Sequence, residues 1–281
     1  MRTSIRFYCF AKFFRVSRSG FYKWLRRYGY VTEREIGNEI LKKKIKEIFD
    51  YHKKRYGAIR IKKELLKEGF NVSVKKVNKI MKANNLVCLH TKRFKVVTTD
   101  SKHKLAIADN KLNREFKADK ANQVWVTDIT YVRVLNGWLY LAVIIDLFNR
   151  KVVGYETSTK INTELVLGAL DKALKMYRPS GLLFHSDRGV QFASSDFKNA
   201  ISKESFVQSM SRKGNCWDNA PAESFFATLK KELLYPIGEC TRFQVERELF
   251  EYIEAYYNTI RLHSSLGYLS PLEFEKLKLA A

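Results

Sequence analysis

The chain has 281 residues, enough for one large domain or two ordinary ones, and its 46% hydrophobic content supports a sizeable core. Its net charge of +23 favours a polyanionic partner, and no uncharged apolar stretch reaches the roughly 18 residues of a membrane span. The four cysteines are scattered without a CxxC pair, which argues against disulfides or a zinc site and favours a reducing cytoplasm.

The positive charge is concentrated in the first part of the chain. Residues 1–120 contain 33 basic and 11 acidic residues, whereas residues 121–281 contain 19 and 18. A basic module joined to a neutral one predicts a polyanion-binding part and a working part. A basic surface kept for solubility is the alternative. An anionic membrane fits less well, because no long basic amphipathic stretch stands out.

The N-terminal part is predicted to be helical. Residues 16–27 form an aromatic, basic segment with Ser17 or Ser19 as its N-cap. An amphipathic helix is expected from about Glu33 to Tyr51, where apolar residues recur at spacings near three to five.

Two short helices follow within residues 55–87. The first should stop at Gly69, and Ser73 should cap the second, with Val74, Val77, Ile80 and Met81 facing inward. The other face of the second helix carries four lysines: Lys75, Lys76, Lys79 and Lys82. This is the outline of a helix-turn-helix whose lysines bind DNA phosphates, although a solvated lysine face is the plainer alternative.

These helices predict a basic DNA-binding module over residues 1–90. Residues 91–120 are polar and weakly periodic, which predicts a basic linker that becomes ordered only against DNA or a partner.

The composition changes abruptly near residue 121, where strands begin. Residues Val124 to Val134 are apolar on both faces and predict a central strand. Asn136-Gly137 marks a tight hairpin into a second strand, Trp138 to Ile145, and a third strand spans Val152 to Thr157.

An amphipathic helix is predicted over residues 162–177, and a further strand over Gly181 to Phe184 runs into Asp187. Three strands, a helix, a strand and a helix together predict a mixed α/β sheet over residues 121–281.

Two aspartates in the strands and one glutamate in a later helix stand out among the carboxylates of residues 121–281. Asp128 lies in the middle of the first apolar strand, where an unpaired carboxylate costs several kcal/mol and needs a cation, a hydrogen-bond network or a metal ion. Asp187 ends the fourth strand, so neighbouring strands would bring the two together at one rim of the sheet. Asp146 also ends an apolar strand and is the rival ligand.

The third carboxylate is Glu223, in a helix expected to be capped by Asn219 or Asp218, with Pro221 in its first turn. Thirty-five residues separate it from Asp187. Lys230 follows seven residues after Glu223 and should point to the same side.

Two aspartates, a glutamate after 35 residues and a basic residue seven later resemble the DDE transposases and retroviral integrases. The segments "VWVTDITYV", "FHSDRGVQFAS", "GNCWDNAPAESFFATLKKELL" and "YYNTIRLHSSLGYLSPLEFE" are similar to OrfB of the insertion-sequence-three family, as are "VSRSGFYKWL" and "RYGAIRIKKELL" upstream. The resemblance covers nearly the entire chain. It implies an RNase H-like catalytic core with C-terminal helices and a metal-dependent strand-transfer reaction on DNA ends.

The resemblance also implies roles for residues. Asp128, Asp187 and Glu223 would be the catalytic set and would hold Mg²⁺ or Mn²⁺, expected as two ions. Lys230 would grip the terminal phosphodiester, and further DNA contacts are expected from Arg188, Arg212 and Lys213. For His185 and His263, local hydrogen bonding is the plainer reading, and for Trp217 a core position, with stacking on a DNA base as the alternative.

The implied partners are the ends of an insertion sequence and target DNA, within a homo-oligomer associated with the bacterial nucleoid and no membrane. The family's full transposase is often a fusion with an upstream frame, OrfA, which would then be a partner. An inert helix-turn-helix regulator and a nuclease that cuts without joining remain alternatives.

Overall fold

The computed structural model describes residues 16–89 and 105–280. The chain divides into two compact units, with the boundary after Cys88. None of the helices in these described ranges is long and apolar enough to cross a membrane.

The first unit is helical throughout its described part. Its helices are α1 (Arg18–Arg27), α2 (Glu33–Tyr51), α3 (Ala58–Lys67) and α4 (Val74–Ala83). Side-chain caps set several of these starts, because a helix leaves its first N–H groups without partners. Ser17 caps α1, Thr32 and Glu35 form a capping box at α2, and Ser73 caps α4.

The core of this unit lies where α2, α3 and α4 meet. Apolar residues spaced along each helix are buried there: Ile45, Phe49, Ile61, Leu65, Val77 and Met81. Val74 of α4 was expected to face inward but is exposed, because it lies in the first turn of the helix, outside this contact. Helices α3 and α4 therefore form the predicted pair, with the four lysines of α4 exposed.

The second unit contains a five-stranded sheet. Its strands are β1 (Val124–Val134), β2 (Gly137–Asp146), β3 (Val152–Ser158), β4 (Leu183–Ser186) and β5 (Val207–Met210), in the order β3-β2-β1-β4-β5. Neighbours β1, β2 and β3 are antiparallel, whereas β1, β4 and β5 are parallel. This topology confirms the predicted RNase H-like mixed sheet, with β1 at its centre.

One face of the sheet is covered by α5 (Thr163–Tyr177), α6 (Val190–Ala193) and α7 (Ser195–Lys203), around the buried side chain of Trp125. Gly154 of β3 allows α5 to approach closely, because a Cβ there would collide with the carbonyl oxygen of Ala169. Asn162 caps α5 through the backbone N–H of Leu165.

After β5 the chain is again helical. A 3₁₀ turn (Cys216–Asn219) leads into α8 (Ala220–Leu229), which continues through a π-helical segment (Lys230–Leu234) into α9 (Tyr235–Ile237). Then follow α10 (Arg242–Phe250), a second π-helical segment (Glu251–Tyr257), a 3₁₀ turn (Ser264–Leu266) and α11 (Pro271–Leu279). Helix α8 contacts β1 and β2, which places it beside the centre of the sheet.

A buried ion pair fastens this helical region. Arg261 donates to both carboxylate oxygens of Glu232, at 2.7 and 2.8 Å, and the Tyr252 hydroxyl donates to Glu232 Oε2 at 2.9 Å. Hydrogen-bonded and paired, the charge of Glu232 can remain inside the protein.

Residues 105–120, here called the docked arm, belong to the second unit and pack against its β5 and α7. Leu112 is buried, and the Ser209 hydroxyl of β5 accepts from the backbone N–H groups of Lys111 and Leu112, at 2.9 and 3.2 Å. Lys198 donates to the carbonyl oxygen of Ala106 at 2.6 Å. This part of the segment expected to be a linker is therefore ordered by the protein itself. Residues 91–104 of that segment lie outside the described residues.

Candidate active site

The site begins with the parallel pairing of β1 and β4. Val126 pairs with His185, so continuing the same register by two residues brings Asp187 beside Asp128. Strand β4 ends at Ser186, and beyond that point the edge of β1 is no longer covered by β4. The two aspartates therefore lie at the rim where the central strand becomes accessible.

Both aspartates line one cleft of about 170 Å³. Its other walls come from β1, from Tyr140 of β2 and from the segment that begins α6. Asp128 and Asp187 are each half-buried, so their carboxyl groups keep access to a ligand through the cleft.

The pKa of Asp128 is raised well above its usual range. Desolvation in the concave cleft is the main cause, followed by repulsion from Asp187, with a smaller contribution from Glu223. The backbone N–H of Ile129, which donates to Asp128 Oδ1 at 2.8 Å, and the nearby charge of Lys230 act in the opposite direction. Two carboxylates and one ammonium group thus act on Asp128 in addition to its desolvation.

Gly189 sets the position of the Asp187 carboxylate. Its backbone N–H donates to Asp187 Oδ1 at 2.9 Å, and its φ of −58° is open to any residue. An added Cβ would lie 3.0 Å from that same oxygen and 3.0 Å from Gln191 Oε1, so a larger residue would make these two side chains shift. The turn after β4 is therefore shaped around the carboxylate.

Glu223 lies in the first turn of α8 and is exposed. Desolvation raises its pKa, and its charge acts on Asp128, which places it near the two aspartates. However, no group of three His, Cys, Asp or Glu side chains within residues 16–89 and 105–280 has the geometry to hold a metal ion. The structure brings Asp128 and Asp187 together and leaves Glu223 beside them.

The two aspartates fit a divalent cation such as Mg²⁺. Carboxylate oxygens are the donors that hard cations take, and a cation at this point would offset the repulsion that raises the pKa of Asp128. Glu223 has a long side chain and an exposed position, from which it could supply a further oxygen.

Lys230 lies on the same side of its helix as Glu223, as expected. Its ammonium group lies 4.7 Å from the ring centroid of Tyr131, and its charge acts on Asp128. Desolvation lowers the pKa of Lys230, while Asp128 opposes this effect. Lys230 begins the π-helical segment, a local widening that is frequent at functional sites.

The rival carboxylate, Asp146, lies elsewhere. It pairs with Trp125, whereas Asp128 pairs with Val143, and successive side chains of a strand point to opposite faces. Asp146 accepts the backbone N–H groups of Asn122 and Phe148 at 2.7 and 2.9 Å, and its pKa is raised by burial to about 6. It organises a turn on the other face of the sheet.

His185 makes local hydrogen bonds rather than entering the cleft. Its ring nitrogens contact the hydroxyls of Ser209 and Ser211 at 2.9 and 3.2 Å, and burial lowers its pKa to about 4. His263 similarly contacts Arg261 at 3.3 Å and stacks edge-on against Tyr257.

The expected DNA-contact residues of this unit differ in their surroundings. Arg188 donates through Nε to the carbonyl oxygen of Ser211 at 2.7 Å. Arg212 donates to both oxygens of Asp218 at 2.8 Å, and Lys213 is exposed next to it. Trp217, for which a core position was the plainer expectation, is 68% exposed.

Asp218 has a different role from the helix cap that the sequence suggested. Helix α8 has no side-chain cap, and Asp218 is instead fully buried and bound to Arg212 and Arg114. Its pKa is held well below the usual range, first by the hydrogen bond from Arg212. The hydrogen bonds from Asn110 and Arg114 to Asp218 were not predicted from the sequence, because both donors lie more than one hundred residues from Asp218.

Matches to known protein families also separate an N-terminal part of the chain from a C-terminal part. An HTH-like domain profile matches residues 35–94, and integrase core domain profiles match residues 118–216 and 205–271. The transposase for insertion sequence element IS904 of Lactococcus lactis subsp. lactis (strain IL1403) is 42% identical over 248 residues, covering 87% of this chain and 97% of that protein.

Transposase InsF for insertion sequence IS3A of Escherichia coli (strain K12) is 38% identical over 267 residues, covering 95% of this chain and 92% of that protein. Among solved structures, the HTLV-2 integrase catalytic core domain in complex with magnesium is 17% identical, with a TM-score of 0.42. The match covers 55% of this chain and 97% of that one.

Proposed function

Because the chain belongs to the insertion-sequence-three family of transposases, as its motifs predicted, we propose that it cleaves the 3′ ends of an insertion sequence and joins them to target DNA. The observation that carries the proposal is the placement of Asp128 and Asp187 at one cleft by the parallel pairing of β1 and β4. We propose these two residues and Glu223 as the catalytic, metal-holding set.

In this proposal each carboxylate has a distinct task. Asp128 is fixed by the central strand, and Asp187 is fixed by the N–H of Gly189, so both oxygen donors are held in place before DNA arrives. Glu223 is carried on α8 and completes the set by a side-chain movement. In this proposal the three carboxylates would hold Mg²⁺ or Mn²⁺, as two ions, and the bound metal would supply Lewis acidity to the reacting phosphodiester.

The remaining residues bind and orient DNA. Lys230 is proposed to bind the phosphate oxygens of the terminal phosphodiester, since its ammonium group lies beside both Asp128 and the face of Tyr131. Lys213, Arg188 and Arg212 are proposed to guide the strand near the cleft. Positioning and charge stabilisation are then the chain's own contribution, and no covalent protein–DNA bond is required.

The first unit is proposed to supply affinity. The exposed lysines of α4 would bind the DNA backbone, which fixes position without reading sequence. We propose domains at residues 1–90, 91–120 and 121–281, with the middle segment linking DNA binding to catalysis. An upstream-frame partner and a homo-oligomer on nucleoid DNA belong to the same proposal.

The experiment uses labelled duplexes carrying the element's ends, incubated with target DNA and Mg²⁺ or Mn²⁺. Wild-type protein should yield joined products, whereas Asp187→Asn should yield none while its DNA affinity stays within about threefold, because backbone contacts dominate affinity. The matched control is Asp196→Asn, an exposed aspartate on α7, which should join DNA normally. Cutting without joining indicates a nuclease, binding without either indicates a regulator, and an active Asp187→Asn removes the proposed catalytic set.

A further inference from the structure

A buried network joins the docked arm, the loop after β5 and the helix that carries Glu223. Its centre is Asp218, which is fully buried. Its Oδ1 accepts from Arg114 Nε at 2.7 Å and from Arg212 Nη2 at 2.8 Å. Its Oδ2 accepts from Asn110 Nδ2 at 2.9 Å and from the backbone N–H and Nε of Arg212 at 2.9 and 2.8 Å.

The next residue fastens the same turn to the sheet. Asn219 is buried, and its side-chain amide donates to the carbonyl oxygen of Thr127 at 2.9 Å. Thr127 immediately precedes Asp128 on β1. Asp218 therefore ties the 3₁₀ turn to the docked arm, and Asn219 ties the same turn to the backbone of β1 just before Asp128.

Helix α8 begins directly after this turn and has no side-chain cap of its own. Glu223 lies five residues after Asp218, in the first turn of α8. The place and direction of that first turn are thus set by the anchored 3₁₀ turn. A small displacement there moves Glu223 relative to Asp128, and a displacement of about 1 Å in a catalytic arrangement can cost a hundredfold in rate.

From this geometry we propose that Asp218 is a positioning residue that sets the start of α8 and holds Glu223 within reach of Asp128 and Asp187. The inference rests on the proposed function, in which Glu223 is the third metal ligand. It gives the docked arm a role as well, because Asn110 and Arg114 contribute donors to the same carboxylate.

A carboxylate is required at this point for a reason of charge and geometry. Both oxygens face N–H donors, three of them on the guanidinium groups of Arg114 and Arg212, so an asparagine would direct its own N–H₂ against at least one donor. The pKa of Asp218 is held well below its usual range by Arg212, in keeping with a permanently ionised partner. Asp218→Asn therefore keeps the volume and disrupts the network.

The test compares full-length wild type with Asp218→Asn in two measurements that do not depend on turnover. Hydrogen–deuterium exchange of residues 212–223 reports the order of the turn, and calorimetric titration with Mn²⁺ reports the ligand set. Asp218→Asn should exchange faster over this segment and bind Mn²⁺ on the order of tenfold more weakly, as when residues supporting metal ligands are removed.

Asp146→Asn is the matched control, because it removes another buried carboxylate on the opposite face of the sheet. It should lose stability and keep the wild-type Mn²⁺ affinity. Should Asp218→Asn fail to fold, Arg114→Gln, which removes one of the two arm residues that donate to Asp218, should show the same two changes at smaller size.

Unchanged exchange or unchanged Mn²⁺ affinity in folded Asp218→Asn would overturn the positioning role. Wild-type protein that binds no Mn²⁺ and joins no DNA would instead overturn the proposed function. In that case the exchange of residues 212–223 still decides whether Asp218 fixes the start of α8, so the two failures remain distinguishable.

Discussion

Asp146 should make the stability of the protein depend on pH in a defined direction. Its carboxyl group is 1% exposed, and burial raises its pKa from 3.8 to about 6. Folding therefore favours the protonated form. The resulting stabilisation is fully present below the unfolded-state pKa and is lost as the pH rises through about 6. Between pH 7 and pH 4.5 this group alone should add about 2 kcal/mol to the free energy of unfolding.

His185 acts in the opposite direction over the same range. Burial lowers its pKa from 6.5 to about 4, so its contribution is present above the unfolded-state pKa and is lost as the pH falls towards 4. The pH dependence of the wild-type free energy of unfolding therefore sums the two contributions, and neither can be read from it alone. The quantity that isolates Asp146 is the difference between wild type and Asp146→Asn, measured at two pH values.

Urea unfolding followed by tryptophan fluorescence provides that measurement, since Trp125 pairs with Asp146 across the sheet and is buried. Asparagine leaves one backbone N–H poorly satisfied, which costs about 1–2 kcal/mol at every pH. On lowering the pH from 7 to 4.5, the deficit of the variant relative to wild type should grow by about a further 2 kcal/mol. A deficit that is equal at both pH values would refute the reasoning, and Asp196→Asn controls for the loss of an exposed aspartate.

Three further outcomes are expected. Glu232→Gln should lower the free energy of unfolding by about 3–5 kcal/mol, because it leaves Arg261 buried without its partner. Glu239→Gln, which removes the exposed ion pair with Arg133, should change the free energy of unfolding by less than about 1 kcal/mol in the same denaturation assay. Equal losses of stability in the two variants would contradict the view that burial makes the Glu232 pair important. Gly189→Ala should reduce strand transfer at least about tenfold with little change in DNA affinity, since its Cβ crowds Asp187; normal joining would show that the turn tolerates the methyl group. Replacing the four lysines of α4 by alanine (Lys75, Lys76, Lys79 and Lys82) should make the plot of log affinity against log salt less steep. The slope should change by about 0.9 for each DNA phosphate that is no longer neutralised. An unchanged slope would show that DNA binds elsewhere.

Elements with a strong periodic pattern and a local start signal were predictable from the sequence. Strand β1 occupies Val124–Val134, as its apolar residues on both faces indicated, and α2 occupies Glu33–Tyr51, as the spacing of its apolar residues indicated. The start of β4 was placed two residues early. Its last residues, His185 and Ser186, are polar yet buried, and the histidine finds hydroxyl partners in Ser209 of β5 and in Ser211 just after it. Sequence periodicity does not report partners of this kind.

Partners that are distant in the sequence also explain why the cap of α8 was predicted wrongly and why the order of the docked arm was not predicted. An asparagine or aspartate just before a helix usually serves as an N-cap, and that local rule suggested Asn219 or Asp218. Neither side chain caps α8, because Asn219 donates to the carbonyl oxygen of Thr127 and Asp218 accepts other donors. Its actual donors come from the docked arm and from Arg212, and a buried carboxylate with two guanidinium partners outcompetes a single bond to a backbone N–H. The arm in turn is ordered by those bonds and by Ser209, which its polar composition does not reveal.

In the proposed function, the distribution of charge separates DNA binding from chemistry. Nearly all of the positive excess lies in residues 1–120, whereas Asp128, Asp187 and Glu223 make the cleft locally negative. In the proposed function, a DNA phosphate entering the cleft would meet this repulsion unless a cation intervened, while the lysines of α4, which lie in the other unit, would attract DNA without one. In the proposed function, affinity should therefore follow monovalent salt, and joining should follow the divalent cation. Desolvation is the main cause of the raised pKa of Asp128, and repulsion from Asp187 is the second; this repulsion, which favours a proton on the carboxyl, would also favour a metal ion in its place.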